Sequence, residues 1–345
     1  DLVRSRGLGD VYKRQVKDKP IIGFIQGHGE AAIQELAQVY QSLQILYQIE
    51  SVYLSDTVNL SKYKTLVMIR PKDSIPAKDF TLLDNFLQSG KNLYLAFNHV
   101  DANLQYGMTN VMHTGISEWL QSKGLTTVDA LVRDVSCGSV QVQQQSDFFS
   151  FATPVQLPYL PLIQKFSDHP STKGLERVII QFASPLQYSA NNKYNFIPVL
   201  NTSPQSAFDS VPITFDINRQ WLQSEFNMGS QCIGGVLEDK TTLSKIIVYS
   251  DGDFPLGGGK GQQVNEDNVS LLSNGIDWLS DDTGLIDLRT KAVATRPIDE
   301  LTDSKRSMYK YLNLLLPIGL AILYGVYRSS TTRRKRIQLM QEKYS

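Results

Sequence analysis

The sequence has little of what most enzymes and metal proteins display. Two cysteines and four histidines are present in 345 residues. The histidines His28, His99, His113 and His169 show no close pair such as H-x-x-x-H, so a zinc centre is not expected. No G-x-S-x-G elbow and no G-x-x-x-x-G-K-[ST] loop occurs, which leaves no nucleophile or phosphate-cradle signature. No cofactor is indicated. Cys137 and Cys232 form one disulfide or remain two free buried thiols, and spacing alone does not decide between them. Net charge is also absent: 34 basic residues balance 34 acidic ones. A bulk-electrostatic nucleic-acid binder is therefore not expected.

That neutrality conceals an uneven distribution. Residues 1–15 carry +2, the tail 328–345 carries +5, and residues 16–327 carry −7. The first 15 residues, DLVRSRGLGDVYKRQ, have no apolar period and resemble translated sequencing adaptor. They are set aside from fold reasoning, and a natural start is expected to be missing. Long apolar runs are absent except for one. Tyr311 to Tyr327 reads YLNLLLPIGLAILYGVY without a formal charge. Its 17 residues lie at the short end of a membrane span. Tyr309, Tyr311, Tyr324 and Tyr327 suit the two interfaces, and Pro317 is tolerable there. Arg328, Arg333, Arg334, Lys335 and Arg336 follow at once, which predicts a cytoplasmic tail and an outer N-terminal domain.

What remains is an alternating pattern. Apolar runs at 21–26, 52–54, 65–69, 92–97, 245–249 and 285–288 read as strands. Helices are expected across 33–47, after Pro76 up to Gly90, over 111–122, and along 269–279. Strands apolar on both faces and alternating with helices predict a parallel sheet covered on both sides. Between about 125 and 242 the helix signals thin out and prolines separate short β-like runs, indicating a β-rich elaboration. The expected organisation is an α/β domain over 16–300, a linker at 301–310, a membrane helix at 311–327 and a basic tail at 328–345.

Two polar motifs end strands. Gly27-His28-Gly29-Glu30 follows the first, and Asp251-Gly252-Asp253 follows 245–249. Strand carboxyl ends are where open α/β sheets bind ligands. Tight-turn and helix-dipole chemistry explains the first motif without any ligand, and is the stronger explanation from chemistry alone. Two carboxylates could hold a divalent cation, but no third ligand follows at a metal-loop spacing. In a parallel sheet both motifs share one rim, and Asn98 after the fourth run joins them. Gly27, His28, Gly29, Glu30, Asn98, Asp251 and Asp253 are thus the candidate ligand-binding residues.

Several stretches carry a family resemblance along the chain. They are IIGFIQGHGE (21–30), Asp168-His169-Pro170, KIIVYSDGDF (245–254), NGIDWLSDDTGLIDLRTK (274–291), Arg296-Pro297-Ile298-Asp299 and LNLLLPIGLAILYGVYRSSTTRRKR (312–336). The chain resembles the GldG-type auxiliary, or substrate-binding, component of gliding-motility ABC transporters of Bacteroidetes. The resemblance implies a flavodoxin-like, class I glutamine amidotransferase-like fold. It implies a periplasmic domain anchored in the inner membrane, ATPase and permease partners, and kinship with a module of intraflagellar-transport proteins linked to glycan binding. The amidotransferase cysteine is missing after NLYLAF, where Asn98 and His99 stand. A non-enzymatic role is therefore expected. The alternatives are a periplasmic hydrolase using His28 or His99 as base, and a purely structural scaffold.

Overall fold

The computed structural model describes residues 19–104, 107–145, 150–217, 219–256, 264–281 and 303–342. The adaptor-like start, the Gly257–Gly261 loop, the run 285–288 and the segment 296–299 lie outside the described residues. The chain divides into two compact units, Asp1–Thr295 and Arg296–Ser345.

The first unit is built on a seven-stranded sheet. Its strands are β1 (Ile21–Gln26), β2 (Gln48–Tyr53), β3 (Thr65–Ile69), β4 (Asn92–Ala96), β13 (Tyr194–Asn201), β15 (Cys232–Asp239) and β16 (Lys245–Tyr249). The spatial order is β13-β15-β16-β4-β3-β1-β2. Strands β16, β4, β3, β1 and β2 pair in parallel, and β15 and β13 add antiparallel strands at one edge. Counting β16 as the fifth parallel strand, the order is 2-1-3-4-5, the flavodoxin-like arrangement. The fold is a mixed α/β type with a parallel sheet, as the alternation of apolar runs predicts.

The helices are α1 (Ala37–Leu43), α2 (Ala77–Gln88), α3 (Ile116–Gln121) and α4 (Glu266–Ser280). Alternate strand residues face opposite layers, as the two-residue period of a strand requires. Ile22, Phe24, Val67, Ile69, Tyr94 and Ile247 pack with Val39 and Leu43 of α1 and Leu271, Leu272 and Ile276 of α4. Ile25, Leu66, Met68, Leu93, Leu95 and Val248 pack with Leu83 and Phe86 of α2 and Ile116 and Leu120 of α3. Gly275 of α4 sits so close to the sheet that a Cβ there would lie 2.5 Å from Tyr94.

One helix differs from its sequence-based expectation. The helix predicted over 111–122 shrinks to α3, and its first residue, Val111, instead ends β6 (Met108–Val111), which forms a hairpin with β5 (Val100–Asn103). Pairing with β5 outweighs the helical period there. Between 125 and 242 no α-helix occurs among the described residues. Strand β9 (Cys137–Gln145) pairs with β10 (Ser150–Ile163), β7 (Leu125–Thr127) with β12 (Leu186–Tyr188), and β8 (Ala130–Asp134) with β14 (Ser206–Ser210). This region is not wholly separate, because β13 and β15 extend the main sheet. A small core of Val100, Leu131, Leu157, Tyr159 and Ile213 lies beneath it.

The second unit contains α5 (Asp303–Glu342), which includes Pro317. Helix therefore starts within the expected linker and continues through the basic tail. Residues 307–334 are long and apolar enough to cross a membrane. At 1.5 Å per residue, these 28 residues extend about 42 Å, against a hydrocarbon core of about 30 Å. Leu314, Ile318, Ile322, Leu323 and Val326 are all more than half exposed along it.

Candidate functional site

The rim at the carboxyl ends of β1, β3, β4 and β16 gathers both polar motifs on one side of the sheet, because these strands are parallel. Their side chains nevertheless form two clusters. β16 and β1 are three strand positions apart, roughly 14 Å at the usual spacing.

The first cluster is centred on His28. Its Nδ1 lies 2.9 Å from Glu30 Oε1, and its Nε2 lies 2.9 Å from Asp79 Oδ2 in the first turn of α2. The His28 backbone N–H donates to Glu30 Oε2 at 2.6 Å. Side-chain exposures are 9% for His28, 1% for Glu30 and 5% for Asp79, so the group is closed to solvent. Hydrogen bonding to Glu30, aided by Asp79, raises the His28 pKa despite burial. Burial pushes Glu30 up, but hydrogen bonds from the His28 ring and backbone outweigh it and leave Glu30 lowered. The cluster places the His28 ring between the Glu30 and Asp79 carboxyl groups, which favour its protonated form. Asp79 Oδ1 has no hydrogen-bond partner among the described residues.

The loop around His28 is closed by the turn after β3. Lys72 and Asp73 donate their backbone N–H groups to His28 O at 3.0 and 2.9 Å. Gly29 has φ +73, and a Cβ there would meet Asp73 Oδ2 at 3.0 Å. Only glycine combines that conformation with that approach. The crevice between β1 and β3, where such a sheet changes direction, is thus occupied by the chain itself. Gly27 and Gly29 are exposed, whereas the His28 ring is turned inward with both nitrogens engaged.

The second cluster joins Asn98, Asp251 and Asp253. Asn98 Nδ2 donates to Asp253 Oδ2 at 2.6 Å, and Asn98 Oδ1 accepts from the Gly252 N–H at 2.7 Å. Asp251 is fully buried and accepts backbone N–H groups of Gln181, Asp253 and Phe254. Burial, then the nearby Asp253 charge, pushes Asp251 up against those three donors. Asp253 remains 38% exposed and faces Arg70 Nη1 at 3.4 Å. Arg70 also donates to both Glu35 carboxylate oxygens, at 3.0 and 2.9 Å. The sequence singled out neither Arg70, Glu35 nor Asp79. Each meets its partner only through the sheet order, although the position of Arg70 directly after β3 was a usable signal.

His99 belongs to a third group. Its Nε2 is 2.7 Å from Asp129 Oδ1, and its Nδ1 is 2.9 Å from Ser117 Oγ. A hydroxyl within reach of an imidazole is what a hydrolase would need, and neither Ser117 nor Asp129 was visible as such in the sequence. Cys137 and Cys232 are both free thiols, and burial pushes each up to about 11. His169, in the Asp168-His169-Pro170 stretch, packs on Trp278 of α4 with centroids 4.5 Å apart. Burial, helped by Lys245, lowers it to about 4, so its ring is neutral and serves packing. Among the described residues no three His, Cys, Asp or Glu side chains form a metal-ligand group.

Among solved structures, the mmIFT52 N-terminal domain aligns with 76% of this chain and 98% of its own, at 14% identity and a TM-score of 0.52. That likeness shows a shared fold. A ThuA-like protein from Parabacteroides merdae covers 76% of this chain and 90% of its own, at 12% identity and a TM-score of 0.38. A glutamine amidotransferase from Thermotoga maritima covers 80% and 91%, at 9% identity and a TM-score of 0.33. No curated protein matches the chain. A family model described as an ABC-type uncharacterized transport system matches residues 19–276, which takes in the whole sheet, the rim and most of α4. With a parallel α/β domain of this kind and an apolar C-terminal helix on the same chain, the protein belongs to that auxiliary family of ABC-type transport systems, ABC_transp_aux.

Proposed function

We propose that this chain is a GldG-type, membrane-anchored auxiliary subunit of an ABC transporter serving gliding motility or envelope export. The observation that carries the reading is the continuity of the family match over 19–276 with a helix able to cross a membrane at 307–334. In this reading α5 anchors the chain in the inner membrane. The basic residues after Tyr327 stay in the cytoplasm, because positive flanks resist translocation. The α/β domain then works in the periplasm, and its part in transport is binding and assembly. The ATPase and permease are its partners.

The same reading gives the rim a polar ligand, with a glycan as the class to try first. Asp253, Asn98 and the exposed backbone of Gly27 and Gly29 supply the contacts. His28, Glu30 and Asp251 hold the loops in place from below, since all three are buried. Affinity purification of the full-length chain from native membranes tests the subunit assignment. Copurification of an ABC ATPase and a permease is the expected result, and their absence under conditions that keep the chain folded refutes it. Protease treatment of sealed inverted vesicles should remove only the tail. Asp253→Ala combined with Asn98→Ala should abolish glycan-array binding. Wild-type motility and assembly in that variant would favour a scaffold instead.

A further inference from the structure

The two buried histidines with carboxylate partners differ in one respect that matters chemically. The His28 group is sealed on all sides, with every side chain less than one tenth exposed. The His99 ring is 5% exposed, but its partners reach the surface: Ser117 is half-buried and the Asp129 side chain is 69% exposed. A carboxylate oxygen only accepts hydrogen bonds. In the neutral ring the proton therefore sits on Nε2, facing Asp129 at 2.7 Å. Nδ1 then carries a lone pair, and the Ser117 hydroxyl donates to it at 2.9 Å. That direction is what allows an imidazole to take a proton from a serine. Serine here meets Nδ1 and the carboxylate Nε2, the reverse of the familiar orientation. Such constellations are recognised by role and geometry, and either ring nitrogen can be the base.

Each member comes from a separate segment that is fixed by backbone bonds. His99 follows β4 at the functional edge of the sheet, and its carbonyl accepts from Met112 N at 2.8 Å. Ser117 stands in the first turn of α3, entered through Gly115 at φ +86. A Cβ at Gly115 would lie 3.0 Å from the Phe80 ring, so only glycine allows this turn. Asp129 lies between β7 and β8, and its carbonyl accepts from Val211 N at 3.1 Å. Ser117 and His99 are thus held together before any substrate arrives.

We propose that Ser117, His99 and Asp129 form a hydrolytic centre for small acyl esters. Ser117 Oγ bonds to the ester carbonyl carbon while its proton passes to His99 Nδ1. The bond to the leaving alkoxide breaks, and the alkoxide takes that proton and departs as the alcohol. Water then attacks the acyl group on Ser117 and gives its proton to Nδ1. Ser117 Oγ leaves and is reprotonated from Nδ1. The balance is ester plus water giving carboxylic acid plus alcohol. Asp129 acts as a positioning residue that holds the ring tautomer. The activity goes beyond the transporter reading and does not depend on it.

The test uses the full-length chain in detergent micelles, with a fluorophosphonate probe and p-nitrophenyl acetate. A single adduct is expected, on Ser117, by peptide mass spectrometry. Ester hydrolysis should fall at least about 100-fold in Ser117→Ala and in His99→Ala, the usual range for loss of acid–base and nucleophile function. Asp129→Ala should lower kcat by about 10-fold or more with KM unchanged, as expected for an interaction made only in the transition state. Ser117→Ala leaves the buried His99 Nδ1 without its donor and should lower the unfolding midpoint while the chain stays folded at the assay temperature, which separates lost chemistry from lost folding. A wild-type chain that neither labels nor exceeds Ser117→Ala in hydrolysis overturns the proposal. So does labelling confined to a different serine.

Discussion

Replacing His28 by alanine should expose how much the sealed carboxylate–imidazolium–carboxylate group contributes. The substitution leaves Glu30 and Asp79 facing each other across an empty site, with side chains only 1% and 5% exposed. Two charge-assisted hydrogen bonds of 2.9 Å disappear, each worth about 1.5–3 kcal/mol. Breaking a buried ion pair by removing one partner costs about 3–5 kcal/mol. Both routes lead to a loss of about 3–4 kcal/mol near pH 7, at the lower end because Asp79 Oδ1 already lacks a partner. The pH dependence is the sharper test. His28 is raised above its ordinary 6.5, so its contribution is full below that pH and fades as pH climbs through the raised value. Glu30 is lowered from 4.5, so its contribution is full above that pH and fades as pH falls through the lowered value. The wild type therefore keeps both contributions between these two values. The variant lacks the His28 contribution, so its deficit should be full below 6.5 and shrink as pH climbs through the raised value. Urea unfolding of the full-length chain in micelles, followed by tryptophan fluorescence, measures both. The uncharged triple variant His28→Leu, Glu30→Gln, Asp79→Asn should recover most of the loss. A deficit below about 1 kcal/mol, or one that does not shrink as pH climbs through the raised His28 value, would refute the reasoning.

Other consequences are equally direct. Gly275→Ala should destabilise the chain by about 1–3 kcal/mol, because the added methyl meets Tyr94 at 2.5 Å and overpacking outweighs the better helix propensity; a gain in unfolding midpoint would contradict the close approach of α4. Cys137 and Cys232, pushed up to about 11, should react with iodoacetamide at pH 8 far more slowly than in the urea-unfolded chain; equal rates would show the thiols accessible. Placing arginines at Leu314, Ile318 and Ile322 should let alkaline carbonate release this chain from membranes, since each charge costs about 2.5–3.5 kcal/mol at the centre of a span. Retention would mean that α5 is not the anchor.

What could be read from the sequence follows one physical line. Strands β1, β3, β4 and β16 are buried on both faces, so they appear as unbroken apolar runs with no need of a partner's identity. Their alternation with helices already implies a parallel sheet, and hence that Gly27–Glu30 and Asp251–Asp253 share a rim. The apolar run at 311–327 is legible for a similar reason, since composition alone qualifies a membrane span. Pairings are different. Val111 ends strand β6 instead of opening the helix expected over 111–122 because it pairs with Val100 of β5, a partnership that local periodicity does not record.

Side-chain partnerships belong entirely to the tertiary structure. Sequence marked His28 and Glu30, but Asp79 lies 51 residues from His28 and reaches it only because β1 and β3 are neighbours. The 155-residue gap between Asn98 and Asp253 closes because β4 pairs with β16. Ser117 and Asp129 acquire meaning only when both meet the His99 ring. Burial on two faces is a property of each residue's own solvation, and a sequence records it. The meeting of a hydroxyl, an imidazole and a carboxylate is a property of strand order, which no local pattern encodes.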